Sequence, residues 1–179
     1  EYCHDCVAKQ HNFKRGVAAF SYSQGMKKSM YAFKYNNRRE YAKYYASVIA
    51  KEFKDVIFSW NCEVLVPVPL HRRKLIKRGY NQAEILAKRL SEQLLIPMDN
   101  RILIRTRNTA PLKELNEKER ITNLKSAFQT DEIKLKYKRI ILVDDIYTTG
   151  STIDECAGTL LRNGAEEVYF ITACIGRGF

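Results

Sequence analysis

No stretch of the 179 residues reaches the roughly 18 consecutive apolar positions that a membrane-spanning helix needs. The first residues also lack the layout of a secretory signal, so a cytoplasmic protein is expected. Internal repeats and low-complexity linkers are absent as well, which predicts one domain behind a short N-terminal stub. Negative charge is scarce: 20 Asp and Glu against 31 Lys and Arg leave a formal charge of +11. Such an excess favours a polyanionic or phosphate-rich partner. Part of it is concentrated, with five cations among the seven residues Arg72 to Arg78 and four among the six residues Lys134 to Arg139.

What is present suits a globular chain, with 45% apolar and 28% charged residues. Three of the five cysteines, Cys62, Cys156 and Cys174, stand singly in apolar surroundings and read as small core residues. Cys3 and Cys6 form a C-x-x-C pair, two of the four ligands that a structural zinc takes. Since the chain starts at Glu1, the other half of a zinc ribbon is expected upstream. His4 and His11 have the chemistry to complete a site, but their spacing matches no common finger.

Strand and helix patterns alternate. GVAAFSYS (16–23) reads as a first strand or hairpin, and Arg38 to Phe53 as a helix whose Tyr41, Tyr45, Val48, Ile49 and Phe53 face the core. EVLVPV (63–68) reads as a buried strand, PLHRRKLIKRGY as a basic loop, and the residues from Asn81 as a helix with an Asn81/Glu84 capping box. Arg101 to Lys125 is polar, with helix predicted around Glu114 to Arg120. Ile140–Val143 reads as a strand, followed by a loop and by a helix with Ile153, Cys156, Ala157, Leu160 and Leu161 on one face and Gly164 as its stop. EEVYFITAC closes with a strand. The alternation predicts an α/β fold with a mostly parallel central sheet flanked by helices, a Rossmann-like three-layer arrangement that binds ligands at the carboxyl ends of its strands.

Two loops fall at those ends. In DDIYTTGST, the backbone from Ile146 through Tyr147, Thr148 and Thr149 to Gly150, with the Ser151 and Thr152 hydroxyls, suits a phosphate at a helix N-terminus. Asp144 and Asp145 repel phosphate and need a donor such as two vicinal ribose hydroxyls. A 5-phosphoribosyl group presents both within a few ångströms. Neither the lysine-bearing Walker loop nor G-x-G-x-x-G is present.

The succession of apolar strand, acidic pair, two variable positions and T-T-G resembles the signature of type I phosphoribosyltransferases. In those enzymes the acidic pair holds the ribose hydroxyls of 5-phosphoribosyl-1-pyrophosphate (PRPP) and T-T-G holds its 5′-phosphate. FKY (33–35), VPVPLHRRK (66–74), RGYNQAE (78–84) and the spacing Arg120, Asn123, Ala127, Phe128 extend the likeness to the competence protein F (ComF) family. One departure is Leu112, where relatives often carry Gln. The resemblance implies a type I phosphoribosyltransferase fold over 16–179 behind a zinc-ribbon remnant over 1–15, with Cys3 and Cys6 as Zn²⁺ ligands.

It also assigns Pro69, Leu70, His71, Arg72 and Arg73 to a pyrophosphate loop, with Mg²⁺ bridging the diphosphate. Asp144, Asp145, Arg72 and Arg73 are then the catalytic candidates, and His71 is a minor candidate for a general base. The implied role is natural transformation: handling of incoming single-stranded DNA beside a DNA-dependent ATPase and recombination proteins, in the cytoplasm and peripherally at the inner face of the membrane. Arg72, Arg73, Lys74, Lys77 and Arg78 are the DNA-binding candidates, interleaved with Tyr31, Phe33, Tyr35, Tyr41, Tyr44, Tyr45 and Tyr80, which are suited to base stacking. The resemblance leaves turnover and the acceptor open. The alternative is a purine or orotate phosphoribosyltransferase of nucleotide salvage.

Overall fold

The computed structural model describes residues 10–106, 127–130 and 135–176. In chain order they form β1 (Gly16–Ser21), α1 (Gln24–Tyr35), α2 (Tyr41–Ser59), β2 (Val64–Pro67), α3 (Arg72–Arg78), α4 (Gln82–Leu94), β3 (Leu103–Arg105), β4 (Phe128–Thr130), β5 (Arg139–Tyr147), α5 (Ser151–Arg162) and β6 (Glu167–Ile175). The main sheet runs β1-β6-β5-β2 with every neighbouring pair parallel, and β3 and β4 form a separate antiparallel pair.

Residues of β5 alternate between two cores, as the two-residue period of a strand requires. Ile140 and Leu142 pack with Phe13, Phe170 and the Ile153, Cys156, Ala157 and Leu160 face of α5. Ile141 and Val143 pack with Phe33, Ile49, Leu86 and Leu90 of α1, α2 and α4. Helices therefore cover both faces of the sheet, the expected layering. Cys156 and Cys174 are buried in these cores, and Cys62 is half-buried.

Several boundaries differ from the sequence reading. Helix α1 was not expected; Ser23 caps it by accepting from the Met26 amide. Helix α2 starts later than Arg38 and runs on to Ser59. The expected basic loop contains α3, which ends at Gly79 in the left-handed conformation (φ 82°). Asn81 caps α4 by accepting from Ala83 N, but the capping box does not close, because the Glu84 carboxylate accepts from Asn100 Nδ2 at 2.8 Å. The region around Glu114 to Arg120, Leu112, and the stub with Cys3, His4 and Cys6 lie outside the described residues. Among the described residues no helix is long and apolar enough to cross a membrane.

Candidate functional site

Strand β5 extends four residues beyond Val143, so the acidic pair lies within the strand rather than after it. The pleat sends the two carboxylates to opposite sides of the sheet. Asp145 is 8% exposed and faces the α1 side, where Lys34 Nζ meets its Oδ2 at 2.8 Å. Asp144 Oδ1 accepts from the Asp145 amide at 2.8 Å, and its charge is felt on the other side by Arg105 and Cys156.

This split sets the protonation of the pair. Burial drives the Asp144 carboxyl up to about 8, and the adjacent Asp145 charge adds to the rise. Burial pushes Asp145 the same way, but the Lys34 ammonium outweighs it by charge and hydrogen bond and holds that carboxyl below the usual range. Lys34 is raised in turn, because Asp145 more than offsets the effect of its burial. The Lys34 counter-ion thus favours charge on Asp145, while burial and that neighbouring charge disfavour it on Asp144.

Lys34 is kept in place by the RGYNQAE segment. The Tyr80 hydroxyl donates to the Phe33 carbonyl, one residue from Lys34. Arg78 donates to Gln82 Oε1 at 2.6 Å and to the Tyr35 hydroxyl at 3.3 Å, while Asn81 Nδ2 donates to the Val68 carbonyl at 3.0 Å. Gly79 makes the tight turn that brings these residues back against α1.

Beyond Tyr147 the chain turns into α5. Gly150, with φ 70°, occupies the N-cap position, and its carbonyl accepts from Asp154 N at 2.8 Å. The Thr149 and Ser151 hydroxyls lie 3.0 Å apart. The turn expected to hold phosphate is a helix start with the Thr149 and Ser151 hydroxyls beside it. At the end of β2, Pro69 and Leu70 line a cleft of about 150 Å³ with Pro67, Leu75, Asn81, Glu84 and Asn100.

His71 is not placed as a base. It caps α3, and its Nδ1 accepts from the Arg73 amide at 3.2 Å, so its lone pair is engaged by a short helix. Arg72, Arg73 and Lys77 are exposed on that helix. Lys74, Arg78 and Arg105 form a tighter cationic group: burial lowers the Lys74 ammonium, and the Arg105 and Arg78 charges lower it further. Lys34 and Arg105 were missed at sequence level. Lys34 was visible within FKY, but nothing there placed α1 against β5.

Residues 75–178 match the family model described as "Phosphoribosyl transferase domain". The fold is thus that of a phosphoribosyltransferase domain. The chain is 31% identical to competence protein F of Haemophilus influenzae, covering 94% of this chain and 76% of that protein. It is 32% identical to the DNA utilization protein YhgH of Escherichia coli, with coverages of 96% and 77%, and 30% identical to competence protein ComFC of Bacillus subtilis, with coverages of 90% and 67%. The chain belongs to this competence protein F family.

Proposed function

We propose that the protein binds PRPP at the carboxyl ends of β2 and β5 and handles incoming single-stranded DNA during natural transformation. The observation that carries the ligand is the direct succession, along one strand, of a half-neutralised acidic pair and a hydroxyl-lined helix start with a left-handed Gly150. The DNA role rests on the names of the relatives, competence proteins and DNA utilization proteins.

In this reading Asp144, on the α5 side of the sheet with the phosphate turn, holds the ribose hydroxyls, and Asp145 with its Lys34 counter-ion sets the charge of the strand end from the opposite face. Backbone amides at the start of α5 and the Thr149 and Ser151 hydroxyls hold the 5′-phosphate. Lys74, Arg78 and Arg105 supply positive charge for the diphosphate, with Arg72 and Arg73 at its outer edge. Mg²⁺ is taken to enter the site together with the PRPP diphosphate. There it would neutralise charge on the diphosphate. Zn²⁺ is assigned to Cys3 and Cys6, and a metal assay on the purified chain and on its Cys3→Ser/Cys6→Ser variant tests that assignment.

Calorimetric titration with Mg²⁺ and PRPP tests the site. The Asp144→Ala/Asp145→Ala variant is expected to lose PRPP binding while its circular dichroism stays native. Unchanged affinity in a folded variant would sink the ribose assignment. Pyrophosphate release across a panel of bases separates binding from turnover.

A further inference from the structure

The structure sorts the tyrosines that precede the site. Phe33, Tyr45 and Tyr80 are buried in the core, whereas Tyr31, Tyr35 and Tyr44 are each about 60% exposed, at 60%, 59% and 61%. Exposed aromatic rings that lie side by side mark an interaction surface more than rings scattered singly do. Tyr31 and Tyr35 lie one turn apart on α1, their ring centroids 5.0 Å from one another and their planes tilted by 47°. The Arg78 guanidinium lies 5.0 Å from the Tyr35 centroid and also donates to its hydroxyl. The helical period puts Lys27 and Lys28 on the same stripe as Tyr31 and Tyr35, and both lysines are exposed. Acidic residues are absent from α1 altogether.

We propose that the Tyr31–Tyr35 face of α1, flanked by Arg78, Lys27 and Lys28, is a stacking platform for single-stranded DNA. The surface is interaction-ready in two respects. Two adjacent exposed rings accept successive unstacked bases of any sequence, and the surrounding cations follow the phosphates. Complementarity of charge selects a nucleic acid over an apolar protein segment, since the stripe carries cations and no anion. Duplex DNA suits the platform less well, because its bases are already stacked on one another and are not free to stack on the rings.

The platform also borders the phosphoribosyl site. Lys34 leaves the same helix turn toward Asp145, while Tyr35 leaves it toward solvent. Arg78 touches Tyr35 and contributes its charge to the environment of Lys34 and Asp145. This surface rests on the DNA-handling reading given above and locates it on the molecule.

Fluorescence anisotropy of a labelled oligothymidylate across a salt series tests it. The Tyr31→Ala/Tyr35→Ala variant is expected to bind about tenfold more weakly or worse. Its slope of log affinity against log salt should stay that of the wild type, because no charge is lost. Lys27→Gln/Lys28→Gln should flatten that slope, and Tyr35→Phe should keep most of the affinity. Tyr44→Ala, which removes an equally exposed ring that instead stacks on Phe20 at 6.0 Å, should bind as the wild type does. Thermal melting checks that the double variant is folded. Full affinity in a folded double variant, or an equal loss in Tyr44→Ala, overturns the platform and leaves the DNA reading standing. A wild-type protein that fails to bind the oligonucleotide even at low salt overturns the DNA reading, and the platform with it.

Discussion

Lys34 Nζ lies 2.8 Å from Asp145 Oδ2, with the two side chains 22% and 11% exposed. The counter-ion of the acidic strand end thus comes from α1, which the sequence keeps far from β5. Removing one partner of such a pair leaves a charge poorly solvated. Lys34→Met is expected to destabilise the protein by about 3 kcal/mol in urea titrations near neutral pH.

That loss has a defined pH window. Asp145 is held below its ordinary value of 3.8 and Lys34 above its ordinary 10.5. The pair's stabilisation is therefore present between those values. It fades as pH falls through the lowered Asp145 value or climbs through the raised Lys34 value. A stability gap between wild type and Lys34→Met that stays constant down to the acid limit would contradict the ion pair.

Asp144 contributes with the opposite sign. Its carboxyl is raised from 3.8 to about 8, so between those values the unfolded chain releases a proton that the folded chain keeps. Stability falls as pH rises through that window and levels off above it. Asp144→Asn is expected to flatten this part of the profile and to raise stability near its upper end by on the order of 2 kcal/mol. Urea midpoints measured across the window provide the check, and a profile identical to wild type would place the proton elsewhere.

Gly150 tests the turn. Its φ of 70° suits glycine, and an added Cβ would overlap the Tyr147 hydroxyl, itself fixed by the stacking of the Tyr147 ring on Phe170 at 4.9 Å. Gly150→Ala is expected to cost about 2 kcal/mol. It should also weaken PRPP binding, since the amides of the α5 start shift with the turn. Calorimetric melting and ligand titration on the same sample measure both effects. An Ala variant that melts with the wild type and binds PRPP equally would mean that neither conformation nor space at Gly150 matters.

The parts of the molecule that could be read in advance are those whose signal is local. The apolar run VLV before Pro67, the apolar face of α4, and the face of α5 from Ile153 to Leu161 each bury enough side chains to leave a signal in the sequence. Helix α1 buries only Met30 and Phe33, and α3 buries nothing. Helix α3 has no apolar stripe to detect, whereas α1 carries one of only three residues, Met26, Met30 and Phe33, and both were passed over. The same applies to the tyrosines, whose sorting into buried and exposed depended on neighbours from other elements.

The sequence by itself determined the chemistry of the strand end: Asp144 and Asp145 stand two residues before T-T-G and the helix that follows it, and a ligand that needs an acidic and a phosphate-binding surface side by side can be inferred from them. Tertiary structure alone decided the electrostatic state of that chemistry. The pleat of β5 divides the aspartates between two faces, α1 delivers Lys34 to one of them, and the turn at Gly79 brings Tyr80 and Arg78 against α1 to hold it there. Charge interactions act through space, across low-dielectric interior, between residues that chain order does not relate.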